Sequence, residues 1–320
     1  MKFTEITLRA FAAPLSESED QKCKNAIGMV RDALKLLNFT DDNKPIERML
    51  NETLAYSVEM RNIATERKIK IFIQGSYANN TCIRMESDVD IAIIQEEIFQ
   101  TMYRPGVTDA YYKFRTIQPA VSFKDEVEIA LRVKFGNDVK RGDKSIKVHG
   151  NTYRKDADTV PCLRFRDYRN DYMFNESNYI GGVAIHPDSG GIIINYPEQH
   201  ILNGRQKNID TNHSYKRMVR IIKKMRYIME DCGYTSSSRV TSFGLESLLW
   251  NIPNCIYANY TAYGFIFAEV IGYAYSNRYS LGTYKEANGI KILCPTQIDI
   301  ANYQNFLYDL IGFYQYDIQE

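Results

Sequence analysis

The stretch IFIQGSYANNTCIRMESDVDIAII, residues 71–94, sets two carboxylates, Asp88 and Asp90, within a run of strand-forming apolar residues. Charged side chains are rarely buried unless they are paired or bound to a metal, so the Asp-Val-Asp needs a chemical reason. Side chains alternate across a strand, which puts Asp88 and Asp90 on one face and Val89 and Ile91 on the other. Like charges this close raise each other's pKa unless a cation sits between them, and Mg2+ is the hard ion that takes carboxylate and phosphate oxygens. A solvated edge strand that opens with acids is the plain alternative.

Upstream, Ile69 to Gln74 reads as a strand that runs into Gly75-Ser76 and a short polar segment, and a second strand follows from about Ser87 to Ile94. At Gly75 and Ser76 backbone N–H groups and a small hydroxyl can approach a phosphate without a bulky side chain between. Gly-Ser followed by Asp-x-Asp on the next strand therefore places a phosphate cradle opposite a metal site. A third acid is expected where two ions are held. Asp158 in YRKDADTVPCLRF precedes an apolar strand, whereas its local rival Asp156 sits beside Lys155 in polar surroundings.

Further out, Ser16 and Glu19 form a candidate capping box for a helix carrying Cys23, Ile27, Val30, Leu34 and Leu37. Pro45 is read as opening a second helix with Leu50, Leu54 and Val58 on one stripe. A helix bearing Val127, Leu131 and Phe135 ends at Gly136, strands follow in KSIKVHG and ADTVPCLRFR, and YIGGVAIHPDSGGIIINYP reads as a β-hairpin. After Asn203 helical periodicity takes over. The expected division is residues 1–205 and 206–320. His149, His186, His200 and His213 are scattered, and His200 is read as structural.

Forty Lys and Arg against 39 Asp and Glu leave a net charge of +1, so no global field for nucleic acid or anionic membrane exists. Between Asn203 and Arg226, however, eight Lys or Arg face one acid, Asp210, a local net of +7. On a helix Lys216, Arg220 and Lys223 share one face while Met218, Ile222, Met225 and Met229 share the opposite one. That face is read as phosphate-binding, with a solvated basic face as the alternative. Six cysteines, far apart and without a Cys-x-x-Cys pair, indicate neither a zinc framework nor a small disulfide scaffold. With no signal h-region and no long apolar run, a cytoplasmic protein is expected.

Taken together, the chain resembles the DNA polymerase β-like nucleotidyltransferases, and within them the bacterial cGAS/DncV-like nucleotidyltransferases, or CD-NTases. GSYANNTCIRMESDVDIAI resembles their Gly-Ser and metal-carboxylate motifs, ADTVPC the strand of the third acid, NYPEQHILNGRQKNIDT with YKRMVRIIKKMR the segment that joins the lobes, and SFGLESLL a helix of the second lobe. One departure is ANNT, where an Arg-Gly pair is common before the threonine.

The resemblance implies an α+β fold: a bilobed nucleotidyltransferase core with a mixed sheet and flanking helices, plus a helical C-terminal lobe. It implies catalysis and binding of two Mg2+, with Mn2+ as a substitute, by Asp88, Asp90 and Asp158. Nucleotide binding falls to Gly75, Ser76, Lys223 and Ser242, with Lys224 and Ser236 to Ser238 as neighbours that compete for the last two roles. The implied activity is the joining of nucleoside triphosphates into a cyclic di- or trinucleotide with release of pyrophosphate, in bacterial anti-phage (CBASS-type) signalling through a separate effector protein. Neither a stable nucleic-acid complex nor a membrane is expected. A linear oligonucleotide synthase, a single-nucleotide transferase to RNA or protein, and a non-enzymatic nucleotide-binding regulator are the alternatives.

Overall fold

The computed structural model describes residues 2–83, 88–107 and 120–317, so Ser87, the expected start of the second strand, lies outside the described residues. The chain opens with β1 (Lys2–Phe3) and α1 (Glu5–Phe11), then α2 (Glu17–Leu34), whose capping box of Ser16 and Glu19 forms as expected. Instead of the helix expected after Pro45, the chain forms β2 (Glu47–Arg48) and β3 (Tyr56–Asn62). The reason is visible in β3. Val58, Met60 and Asn62 are buried while Glu59 and Arg61 are exposed, the two-residue alternation of a strand. Glu52, at φ 63°, also departs from helical backbone.

β4 (Arg67–Ile73), α3 (Gly75–Ala78) and β5 (Val89–Met102) follow, then α4 (Ala120–Phe135), β6 (Val139–Arg141), β7 (Ile146–Val148), β8 (Ala157–Asp167), and the hairpin of β9 (Ile180–Ile185) and β10 (Ile193–Asn195). The sheet runs β10-β9-β8-β5-β4-β3-β2, with β7 also on β8 and β6 on β7. β5 and β8 are parallel and the other pairs antiparallel, which makes the sheet mixed. Its buried face packs on α2 and α4 through Ile27, Val30, Ile71, Ile91, Ile93, Val127 and Leu131, each at most 2% exposed. Burial on this scale supplies most of the unit's hydrophobic stabilisation.

The rest is helical: α5 (Pro197–Asp210), α6 (Ser214–Asp231), α7 (Ser242–Trp250), α8 (Tyr263–Ser276) and α9 (Gln297–Phe313), closed by β11 (Gln315–Tyr316) pairing with β1. Their core holds Met218, Ile222, Met225, Leu245, Leu248, Phe267 and Phe306, all at 0% exposure.

The chain divides into two compact units. Ser16–Ala78 and Asp88–Glu198 make the sheet unit; the N-terminal stretch to Leu15, the segment beginning at Asn79, and everything from Gln199 make the helical unit. Set against the expected division at 205 and 206, the break falls inside α5, and two earlier segments are counted with the helices. All six cysteines are free thiols, four of them buried. Among the described residues no helix is long and apolar enough to cross a membrane.

Candidate active site

In the sheet unit Asp90 of β5 and Asp158 of β8 are direct partners in the parallel register. Partners in adjacent strands share a face, so the two carboxyl groups stand side by side at the strands' N-terminal ends. Asp88 lies two residues before Asp90. Burial, then Asp158 and Asp88, push the Asp90 carboxyl up to about 7. Burial and Asp88 raise Asp158 as well, with Lys147 working against them. Burial and the crowding of like charges both act in this direction. The structure therefore brings the three expected acids into one electrostatic cluster.

Gly75 is the pivot of the site. Its φ of +69° is left-handed, and a Cβ there would lie 2.5 Å from Asp90 Oδ2. Glycine lets the turn accept that backbone and brings it against the acid. The backbone N–H of Gln74 donates to Asp90 O at 2.9 Å, which locks the turn to β5. Ser76, half-buried, stands in the single turn of α3.

The donors are hard carboxylate oxygens, the set that Mg2+ and Mn2+ take. Their chemistry and mutual repulsion fit a divalent ion. Among the described residues, however, no three acidic, histidine or cysteine side chains close on one point. Asp88 instead meets Lys147 of β7, whose Nζ donates to Asp88 Oδ2 at 2.6 Å. Lys147 carries no signal beyond a strand lysine in KSIKVHG. Asp156, the rival for the third acid, accepts the Gly150 N–H at 2.5 Å through Oδ1.

The helical unit corrects the reading of α6. Lys216, Arg220 and Lys223 do share a face, but they are 5%, 5% and 2% exposed, so this face is buried and not offered to solvent. Lys223 Nζ donates to Glu246 Oε2 at 2.8 Å, Thr81 O at 3.1 Å and Thr81 Oγ1 at 3.3 Å. Thr81 Oγ1 donates to the same carboxylate at 2.7 Å, and His200 Nε2 lies 2.9 Å from Glu246 Oε1. The Lys223 ammonium is thus engaged internally. Glu246, a lone acid in the apolar SFGLESLL, was the available signal that a buried cation needed a partner.

The same network holds the ANNT departure. Asn80 has φ 53°, a left-handed backbone that asparagine tolerates much as glycine does. Asn79 fits against Gly204, where a Cβ would come within 2.5 Å of its Oδ1. Arg220 donates from Nε to Ala12 O at 2.6 Å and from Nη1 to Asn80 O.

Ser242 begins α7 behind the Thr241 cap, with Arg226 Nη1 3.4 Å from its Oγ. The neighbouring hydroxyls of Ser236, Ser237 and Ser238 each donate to an internal acceptor, Asp309, Tyr234 O and Thr235 O. Lys224 is half-buried and makes no ion pair among the described residues.

Comparison with known proteins meets this geometry. Residues 202–315 match the cGAS/DncV-like nucleotidyltransferase C-terminal helical domain. The chain is 45% identical over 318 residues to the cyclic GMP-AMP synthase CdnE03 of Staphylococcus schleiferi, covering 99% of this chain and 98% of that one. It is 35% identical over 293 residues to the cyclic dipyrimidine nucleotide synthase CdnE of Legionella pneumophila, with 90% of each covered. The solved structure of the Elizabethkingia meningoseptica CdnE cyclic dinucleotide synthase with GTP and Apcpp superposes with a TM-score of 0.73 at 29% identity, covering 98% of this chain and 99% of that one. With the acid cluster, the mixed sheet and near full-length similarity in agreement, the chain belongs to the cGAS/DncV-like nucleotidyltransferase family.

Proposed function

We propose that this nucleotidyltransferase is a Mg2+-dependent synthase that joins nucleoside triphosphates into a cyclic di- or trinucleotide and releases pyrophosphate. The observation that carries the reading is the register of Asp90 against Asp158, with Asp88 in the same cluster. The relatives named as cyclic nucleotide synthases over nearly the whole chain support cyclisation as the outcome. An anti-phage role, in which the product activates a separate effector, follows from the family resemblance alone.

In the reaction a 2′ or 3′ hydroxyl oxygen forms a bond to an α-phosphorus, the bond from that phosphorus to the β-phosphate bridging oxygen breaks, and pyrophosphate carries away the electron pair. Asp88, Asp90 and Asp158 would hold the divalent ions, whose chemistry when bound is to acidify the hydroxyl and neutralise the triphosphate. The Asp158 carboxylate accepts the hydroxyl proton, directly or through water. Gly75 and Ser76 offer backbone and hydroxyl donors to phosphate oxygens beside Asp90. Ser242 keeps the triphosphate contact that the resemblance gives it, while Lys223 is reassigned to holding Thr81. Catalysis rests on positioning and charge neutralisation.

The test is incubation with the four labelled triphosphates and Mg2+, then phosphatase treatment and mass spectrometry. A phosphatase-resistant product, absent with EDTA and in Asp90→Ala protein, is expected. Label that becomes wholly phosphatase-sensitive overturns cyclisation, and a mass ladder points to linear chains.

A further inference from the structure

Lys147 lies directly opposite Asp158 in the antiparallel register of β7 and β8, and Asp158 lies opposite Asp90. One row across the sheet therefore reads Lys147, Asp158, Asp90. The Lys147 ammonium sits 2.6 Å from Asp88 Oδ2 and 3.4 Å from Asp156 Oδ2, between two carboxylates that flank the row. Clustered acids need a positive charge among them, and here an ammonium supplies part of it. A divalent ion binds carboxylate oxygen at about 2.0–2.1 Å, so an ion on Asp88 and an ammonium on the same oxygen would repel strongly. Asp88 cannot serve both well. Asp156 offers an alternative, because its Oδ1 is fixed by the Gly150 N–H while Oδ2 faces Lys147.

We propose that Lys147 is a displaceable counter-ion of the metal site: it holds Asp88 when no cation is bound and moves onto Asp156 when Asp88 takes a metal. The exchange gives Asp156 a task distinct from that of the third acid, since it receives the ammonium. It keeps the acids compensated between turnovers and sets the concentration at which a divalent ion wins. The inference rests on the metal-binding reading of Asp88, Asp90 and Asp158.

The test measures Mn2+ binding to the metal-stripped full chain by the loss of its free paramagnetic resonance signal, without nucleotide. Lys147→Met keeps most of the aliphatic stem and removes the competing charge. Its Kd should fall about three- to tenfold, as expected for deleting one nearby unit charge, and Lys147→Arg should stay near wild type. Asp156→Asn should weaken binding in the wild-type background and much less in the Lys147→Met background. An unchanged or higher Kd in Lys147→Met overturns the counter-ion role, and equal losses on Asp156→Asn in both backgrounds overturn the transfer to Asp156. Failure of the wild type to bind Mn2+ at all, or binding that Asp90→Asn leaves untouched, would reject the metal site itself and the exchange with it. Because the readout needs no turnover, it is separate from the identity of the product.

Discussion

Lys223 Nζ lies 2.8 Å from Glu246 Oε2, and the two side chains are 2% and 1% exposed. A pair so enclosed loses its solvation in full, and breaking it leaves an uncompensated charge. Glu246→Gln or Lys223→Met alone should therefore cost about 3–5 kcal/mol in urea unfolding, whereas Lys223→Met with Glu246→Leu should cost far less than the sum.

The same pair gives the protein an acid limb. Burial alone would raise the Glu246 carboxyl, yet Lys223 and His200 hold it far below its ordinary 4.5. Below 4.5 the unfolded chain then binds a proton that the native state does not. The contribution is complete above that value and is lost as pH falls toward the depressed native pKa. Urea midpoints followed from pH 7 downward should drop less steeply in Glu246→Gln than in wild type, and parallel curves would refute this.

Burial and the neighbouring Asp158 and Asp88 all work against an ionised Asp90. Asp90→Asn should abolish product formation and yet, in EDTA at pH 8, stabilise the protein by about 1–3 kcal/mol, because a carboxyl raised to about 7 is costly to ionise there. Added Mg2+ should raise the wild-type melting temperature more than that of the variant. A variant less stable than wild type in EDTA would count against crowded acids.

Gly75→Ala forces a Cβ to within 2.5 Å of Asp90 Oδ2 at φ +69°. The left-handed backbone costs about 1–2 kcal/mol, a drop of a few degrees in melting temperature. Displacing the carboxylate by even about 1 Å should cost about 10²-fold in kcat. A large loss of kcat beside a small loss of stability is the expected split, seen by calorimetry and initial rates.

Much of the site was legible because its logic is local. Strand alternation predicts Asp88 and Asp90 on one face, although β5 begins only at Val89, and the Val-Pro step after Asp158 marks a buried strand, which the register of Asp90 with Asp158 matches. What escaped depends on partners far along the chain. The basic face of α6 has the spacing of a solvated or phosphate-binding surface, and nothing in its own residues says that Thr81 and Glu246 meet Lys223. Lys147 escaped for a similar reason, since its role comes from β7 pairing with β8. The segment after Pro45 was misread because Leu50, Leu54 and Val58 also fit helical spacing, whereas the burial of Val58, Met60 and Asn62 follows a two-residue rhythm.

Arg220 ties α6 to Ala12 and Asn80, residues that precede the family-matched helical domain by more than a hundred positions. A fragment cut at residue 202 would strip that guanidinium and Lys223 of their acceptors on Ala12, Asn80 and Thr81. Recombination or truncation that treats the C-terminal helices as a free-standing cassette should thus yield an insoluble product, and grafting between relatives must carry the N-terminal helix and the Asn79-to-Ile83 segment along with them.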